Sequence, residues 1–240
     1  MFKKCKEISS LFNHIECSED AFFPDYFQET IERVVREILD ESFFNLKQYQ
    51  KLSLATNCLA GHSIRTALIA TGIGRNLQLC LADLMALGIG AILHDIGKIR
   101  IDKQILNKPS KLSADEFECI KAHPLRGYEM LESQTWIPPT SLNVIRNHHE
   151  RLNGTGYPDQ KTEKDLHLFD KITAVSDAFD AMTSKRNYRQ SYSADQAYQV
   201  LLSEASTHLD EKAVKILGDM IVNEGFDRNQ ESRFYTLVNV

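Results

Sequence analysis

The heptapeptide Leu93-His94-Asp95-Ile96-Gly97-Lys98-Ile99 ends the longest apolar run of the sequence, residues 84–93. It places an imidazole, a carboxylate and an ammonium group at the edge of a segment whose pattern indicates a buried helix. An unpaired charge would be costly at such a position, so these side chains need partners. Because imidazole and carboxylate together suit first-row transition metals, the heptapeptide predicts a metal site at the end of a core helix.

Helical periodicity continues on both sides of this stretch, and few segments alternate with a period of two. Residues 1–20 show no clear period. Ser113-Ala-Asp-Glu116 has the spacing of a capping box, which predicts the start of a helix. Helices are predicted over residues 26–39, 52–73, 79–93, 113–123, 141–149, 169–183, 194–202 and 211–222. The sequence therefore predicts an all-α fold, with an N-terminal helical segment over residues 1–50 and one domain over residues 51–240.

Composition narrows the class of protein. The 240 residues carry a net charge of -5, which argues against a duplex nucleic acid partner but permits a small anionic ligand held by local cations. The five cysteines are odd in number and form no Cys-x-x-Cys pair, which favours a reducing, cytoplasmic location. No apolar segment follows the basic start, and the longest apolar run is too short for a bilayer, so neither a signal peptide nor membrane insertion is expected.

Histidine and aspartate side chains are concentrated around the heptapeptide and the long loop over residues 151–168. The candidate ligands are His62, His94, Asp95, His123, His148, His149 and Asp177. Five imidazoles and two carboxylates are about enough for two ions, and two ions a few ångströms apart form a clamp for phosphoryl transfer. Each of these residues alone is weak support, because a lone histidine in a helix is more often a surface or hydrogen-bonded core residue.

The heptapeptide resembles the signature of the HD phosphohydrolase superfamily, and residues 148–158, His-His-Glu-Arg-Leu-Asn-Gly-Thr-Gly-Tyr-Pro, resemble the extended motif of its HD-GYP branch. Further segments match in the family's order: residues 62–63, 105–109, 122–127, 175–184 and 186–189. The resemblance covers roughly residues 30–220. It implies an all-α HD-type helical bundle, a metal centre and hydrolysis of cyclic di-GMP in bacterial signalling.

The resemblance also implies roles for individual residues. Two divalent transition-metal ions, iron or manganese, are implied, with Asp95 bridging them and a water or hydroxide between them attacking phosphorus. One ion would be held by His62, His94, Asp95 and Asp177, and the other by Asp95, His123, His148 and His149. Lys98 is implied as a phosphate contact that assists the leaving oxygen, and Arg186 and Arg189 as contacts to the substrate phosphates. Tyr157 either stacks or hydrogen-bonds against the bound nucleotide, or belongs to a rigid turn packed on the bundle.

Three positions depart from the family pattern and leave alternatives open. Cys58 stands where some members have a glutamate that recruits a third metal, so two ions are expected and Cys58 is interpreted as a small buried side chain. Asn153 and Lys171 also differ from the commoner residues, which leaves the substrate preference open.

The leading hypothesis is hydrolysis of cyclic di-GMP to linear pGpG and on to GMP. The alternatives are the same chemistry on 3'3'-cyclic GMP-AMP, a non-catalytic sensor of cyclic dinucleotides, or an HD phosphohydrolase for mononucleotides. Control of the activity would come from the N-terminal helices, from a homodimer or from a separate regulatory protein.

Overall fold

The computed structural model describes residues 2–17, 23–40, 49, 58–184 and 191–223, and these residues form helices joined by turns, with no β-strand among them. The helices are α1 Phe2–Cys17, α2 Phe27–Asp40, α3 Leu59–Asn76, α4 Leu81–Leu93, α5 Lys103–Leu106, α6 Ala114–Lys121, α7 His123–Leu131, α8 Pro139–Asn147, α9 Leu168–Thr183, α10 Ala194–Glu204 and α11 Glu211–Asn223. Two 3-10 turns span Ile96–Arg100 and Glu163–Asp165. The predicted all-α fold class is therefore confirmed.

Helix α4 lies at the centre of the bundle and packs against α2, α3 and α8. Its glycine content permits close contact, because a Cβ atom at Gly90 would lie only 2.9 Å from the Cβ atom of Val144 on α8. The burial of α4 follows from this contact on several sides, and the prediction of a core helix is confirmed. Every helix within the described ranges is too short or too polar to cross a bilayer.

The 3-10 turn after α4 rests directly on the backbone of α7. A Cβ atom at Gly97 would lie 2.1 Å from the carbonyl oxygen of His123 and 2.6 Å from the amide nitrogen of Gly127. Only a residue without a side chain fits so close an approach. This contact fixes the end of α4, which carries His94 and Asp95, against the start of α7, which carries His123.

The capping box at the start of α6 is confirmed in both directions. The Glu116 amide donates to Ser113 Oγ at 3.2 Å, and the Ser113 amide donates to Glu116 Oε2 at 2.7 Å. The helix ends earlier than predicted, at Lys121, and His123 opens the separate helix α7. Part of the predicted helix over residues 52–73 lies outside the described residues, which resume at 58.

Helix α1 differs from the expectation that residues 1–20 show no clear period. It buries a stripe at helical spacing, formed by Cys5, Ile8, Leu11, Phe12 and Ile15. The stripe packs against α2, α3 and the 3-10 turn that follows α4. Lysines and serines between the apolar positions obscure this period in the sequence. The boundary between the predicted segments 1–50 and 51–240 falls among residues outside the described set, so that division stays a prediction.

Candidate metal centre

The seven predicted ligands are distant in sequence, and the bundle brings them together in two clusters. The first cluster consists of His62 on α3, His94 after α4, and Asp177 on α9. The second cluster consists of Asp95 after α4, His123 at the start of α7, and His148 and His149 after α8. Within each cluster, one ligand atom from every residue lies within 4.8 Å of the others. The arrangement offers two adjacent groups of metal donors.

The fully buried Asp95 carboxylate belongs to the second cluster and lies on the side that faces the first. Its Oδ2 atom is 3.3 Å from His62 Nε2 and 3.4 Å from His94 Nε2, both in the first cluster. Its Oδ1 atom is 3.0 Å from His123 Nε2 and 3.6 Å from His148 Nε2, both in the second cluster. Each oxygen therefore faces a different cluster, which is the geometry that a bridging carboxylate requires.

Hydrogen bonds on the far side of the imidazoles set their tautomers. In His94, His123 and His148, the Nδ1 atom lies 2.7–3.0 Å from the backbone carbonyl oxygen three residues earlier. In His62, Nδ1 lies 2.7 Å from Asp180 Oδ2. Because these oxygens only accept, each Nδ1 carries the hydrogen and each Nε2 presents its lone pair to the clusters.

The donor atoms fit a cation between them. The Nε2 atoms of His62 and His94 are 3.2 Å apart, and those of His123 and His148 are 3.1 Å apart. Two lone pairs at this distance repel each other unless a proton or a metal ion lies between them. Asp95 Oδ1 is also buried without a hydrogen-bond partner among the described residues. This donor set therefore fits divalent transition-metal ions.

Burial sets the protonation of the second cluster. It lowers the pKa of His148 to about 4, lowers the pKa of His123, and holds the pKa of His149 well below its ordinary value. These three imidazoles are neutral at pH 7, the form that ligates metals. Burial also lowers the pKa of His62, but hydrogen bonds with Asp177 and Asp180 outweigh that effect and raise it well above the ordinary value. A cation at the first cluster must therefore displace a proton from His62.

Lys98 lies beside the Asp95 carboxylate, as its spacing of three residues from Asp95 predicts. Its Nζ atom is 2.6 Å from Asp95 Oδ2, and its side chain is partly exposed to the cavity. Burial raises the pKa of Asp95, but the charges of Lys98 and His94 outweigh it and hold that pKa well below the ordinary value. The two predicted phosphate contacts Arg186 and Arg189 lie outside the described residues.

A cavity of about 500 Å³ opens onto the two clusters. Tyr157 lines it and stacks on the ring of His149, with ring centroids 4.7 Å apart and planes 24° apart. Cys58 also lines this cavity, at the residue before α3. The interpretation of Cys58 as a small buried side chain is therefore wrong, because its position at the cavity wall leaves it exposed. Cys58 is not part of either ligand cluster.

Asp180 is a buried residue of this site that carried no predicted role. Its Oδ1 atom accepts hydrogen bonds from Arg65 Nε at 2.7 Å and from the Tyr49 hydroxyl at 2.8 Å, while Oδ2 pairs with His62. Burial raises the pKa of Asp180, but Arg65 and His62 outweigh it and lower that pKa to about 2. The sequence contains one indication that both residues lie near the site. Asp180 follows Asp177 by three residues and Arg65 follows His62 by three, so each lies one helical turn from a candidate ligand.

Glu150 is a second buried carboxylate without a predicted role, and it holds the loop that carries Tyr157. It is 2% exposed, and it accepts the backbone N–H groups of Asp159 at 2.6 Å and Lys161 at 3.0 Å. Since both amides lie beyond Tyr157 in the chain, Glu150 closes the loop back onto the end of α8. The loop geometry beside His149 depends on this carboxylate.

Replacing Glu150 with alanine is expected to lower the free energy of unfolding by about 1–3 kcal/mol, because two loop N–H groups lose their acceptor. Denaturant titration measures the change. Glu163→Ala is the matched control, since Glu163 is a mostly exposed glutamate of the same loop. Equal stability of the two variants would show that the Glu150 carboxylate does not hold the loop.

A family model and several curated proteins are similar to this chain. A family model described as HD domain matches residues 33–213. Cyclic di-GMP phosphodiesterase PA4108 of Pseudomonas aeruginosa is 34% identical over 62% of this chain and 36% of its own length. The protein named 3'3'-cGAMP-specific phosphodiesterase 2 of Vibrio cholerae is 29% identical over 76% of this chain and 35% of its own length. The chain thus spans about a third of the length of these curated relatives.

A solved structure gives an independent match to the fold. The structure titled "Bd1817, a HDG"Y"P protein from Bdellovibrio bacteriovorus" superposes with a TM-score of 0.70 at 18% identity. The match covers 92% of this chain and 69% of the other. At this identity the likeness concerns the fold, and it includes nearly the whole helical bundle.

Proposed function

The chain belongs to the HD domain family, in its HD-GYP branch, and from that premise we propose that it is a metal-dependent phosphodiesterase that hydrolyses a cyclic dinucleotide. The observation that carries the proposal is the Asp95 carboxylate, whose two oxygens face separate histidine-containing clusters. A carboxylate in this position suits a two-ion centre better than a single structural ion. The adjoining cavity gives a phosphodiester access to that centre.

Two divalent transition-metal ions, iron or manganese, are the proposed cofactors. His62, His94 and Asp177 with Asp95 Oδ2 would hold one, and His123, His148 and His149 with Asp95 Oδ1 would hold the other. When bound, such ions lower the pKa of water and neutralise charge on a phosphate. Imidazole-rich donor sets favour these metals over magnesium, and the absence of Cys58 from both clusters supports two ions rather than three.

The chain's own residues have defined tasks in this proposal. The Lys98 ammonium, beside Asp95, contacts the phosphate and donates a proton to the leaving oxygen. Tyr157, stacked on His149, presents its outer face to a base or ribose of the substrate. Asp180 holds His62 in the tautomer whose Nε2 lone pair faces the centre. Arg186 and Arg189 remain predicted contacts to the substrate phosphates.

The proposed substrate is cyclic di-GMP, cut to linear pGpG and then GMP. The second candidate is 3'3'-cyclic GMP-AMP, because relatives with that substrate in their names match this chain as extensively as those named for cyclic di-GMP. The convergence of all seven ligands favours an enzyme over a non-catalytic sensor. A cytoplasmic location, a homodimer and a separate regulatory partner remain predictions from the sequence.

The test is hydrolysis by the purified full chain, stripped with a chelator and reloaded with Fe²⁺ or Mn²⁺. We expect cleavage of cyclic di-GMP, two ions per chain by elemental analysis, and loss of both with the chelator. Tight binding without cleavage under any metal would favour the sensor. Cleavage of 3'3'-cyclic GMP-AMP alone would keep the proposed chemistry and overturn the proposed substrate.

A further inference from the structure

A second, smaller cavity lies beside the cavity at the metal centre, and the two are called lobes below. The first lobe, about 500 Å³, contains the two clusters, and the second lobe, about 170 Å³, lies beside it. Both lobes are lined by the same five residues: Cys58, Leu59, Lys98, Leu106 and Asn107. Because Lys98 also contacts Asp95, the boundary between the lobes lies next to the bridging carboxylate. The second lobe therefore adjoins the metal centre.

Helix α1 forms the outer wall of the second lobe. It contributes the ring of Phe12 and the polar side chains of Ser9, Asn13 and Glu16. Phe12, Leu59 and Leu106 give apolar surface for the face of a flat ring, while the α1 polar groups lie where its edge would be. Two lysines, Lys98 and Lys103, line the lobe beside its single acid Glu16, and each is already paired with a carboxylate, Lys98 with Asp95 and Lys103 with Glu16. The lobe suits one nucleobase, and the described N-terminal helix supplies its polar contacts.

The Glu16 carboxylate is the hydrogen-bond acceptor that a base in the second lobe would face. Its Oε1 atom lies 3.0 Å from Nζ of Lys103, a mostly exposed lysine, and this ion pair holds the carboxylate at the edge of the lobe. Guanine presents two adjacent donors, N1–H and the N2 amino group, which match the two oxygens of a carboxylate. Adenine presents an unprotonated N1 acceptor at the same position, which a carboxylate repels. A polar site of this kind discriminates strongly between ligands that do and do not supply its hydrogen bonds.

We propose that the second lobe binds one guanine base of the dinucleotide and that the Glu16 carboxylate recognises its N1–H and N2 amino groups. The inference rests on the proposed function for the position of the phosphate at the metal centre. One phosphodiester lies beside Lys98, and the guanosine on that side of the substrate ring extends towards α1. Both cyclic di-GMP and 3'3'-cyclic GMP-AMP carry such a guanine, whereas cyclic di-AMP does not.

The experiment compares Glu16→Gln with the wild type, using the Mn²⁺-loaded full chain. KM and kcat are measured for cyclic di-GMP and cyclic di-AMP, and equilibrium affinities for both by calorimetry. Glutamine replaces one acceptor by a donor, so we expect the KM and Kd of cyclic di-GMP to rise roughly tenfold or more, with little change in kcat. The affinity for cyclic di-AMP, weaker in the wild type, should change little or improve.

Two control variants separate base recognition from a structural role. Lys103→Ala removes the ion pair and keeps the carboxylate, and Glu29→Gln neutralises an exposed glutamate of α2. Glu29→Gln should retain the full preference for guanine, whereas Lys103→Ala, which releases the carboxylate from the ion pair that holds it, should weaken that preference without reversing it. An equal effect of Glu16→Gln on the two nucleotides, or no effect on cyclic di-GMP, would overturn the inference. If the wild type binds cyclic di-GMP in a Glu16-dependent manner without cleaving it, the enzymatic proposal fails and the lobe assignment stands. A wild type that neither binds nor cleaves overturns both.

Discussion

Asp95→Asn is expected to abolish measurable hydrolysis of cyclic dinucleotides and to reduce the metal content of the chain. Asparagine has nearly the shape of aspartate, but its single carbonyl oxygen can face only one cluster, and its amide N–H groups would point at the other. The loss of the bridging charge should cost at least the roughly 10²–10³-fold in rate that removal of one electrostatic group costs in other enzymes. The measurements are kcat/KM with Mn²⁺ and the number of ions per chain.

The control for this variant is Asp115→Asn. Asp115 is an exposed aspartate in the first turn of α6, outside both clusters, so its replacement should leave activity and metal content unchanged. Both variants replace an aspartate with asparagine, and they differ only in the position of that replacement. Full metal content and activity in Asp95→Asn would contradict the bridging role and, with it, the two-ion centre.

The side chains that converge at the candidate metal centre could be named from the sequence because their chemistry is visible there. A helix of almost purely apolar residues that ends in His94-Asp95 is an unusual juxtaposition, and the physical cost of burying those groups already points to a cation. The assignment of the other five ligands depended on the resemblance to a family, since no periodicity relates residue 62 to residue 177. The packing of the bundle brings helices that are distant in the chain into contact, and the spacing of residues in the sequence does not show such contacts.

Two features of the molecule were not predictable from residue patterns. An N-terminal helical segment was predicted, but lysines and serines interrupt the apolar stripe of α1, so that neither its buried face nor its wall of the second lobe could be inferred. The pairing of Arg65 with Asp180 was missed because arginine and aspartate are ordinarily exposed. Helical spacing places each of them one turn from a candidate ligand, but it does not show that the two meet each other. Both follow only from the packing of α1 and α9 against α3.

Arg65→Met is expected to lower the free energy of unfolding by about 3–5 kcal/mol, because it removes the guanidinium that hydrogen-bonds both oxygens of the buried Asp180 carboxylate. Arg65 is 1% exposed and Asp180 is fully buried, so water cannot replace the lost partner. Arg33→Met is the matched control. Arg33 also contacts two carboxylates, Glu7 and Glu37, but its side chain is 41% exposed, so its loss should cost at most about 1 kcal/mol.

The double variant Arg65→Met/Asp180→Leu separates stability from function at this site. With both charges gone, apolar side chains of similar volume fill the position, so the free energy of unfolding should recover most of what Arg65→Met loses. His62 then has no acceptor for its Nδ1 hydrogen, and metal affinity should stay roughly 10–100-fold below that of the wild type. Denaturant titration and metal titration measure the two effects on the same protein. Recovery of metal affinity together with stability would show that Asp180 serves only the fold, whereas recovery of stability alone identifies it as the residue that orients His62.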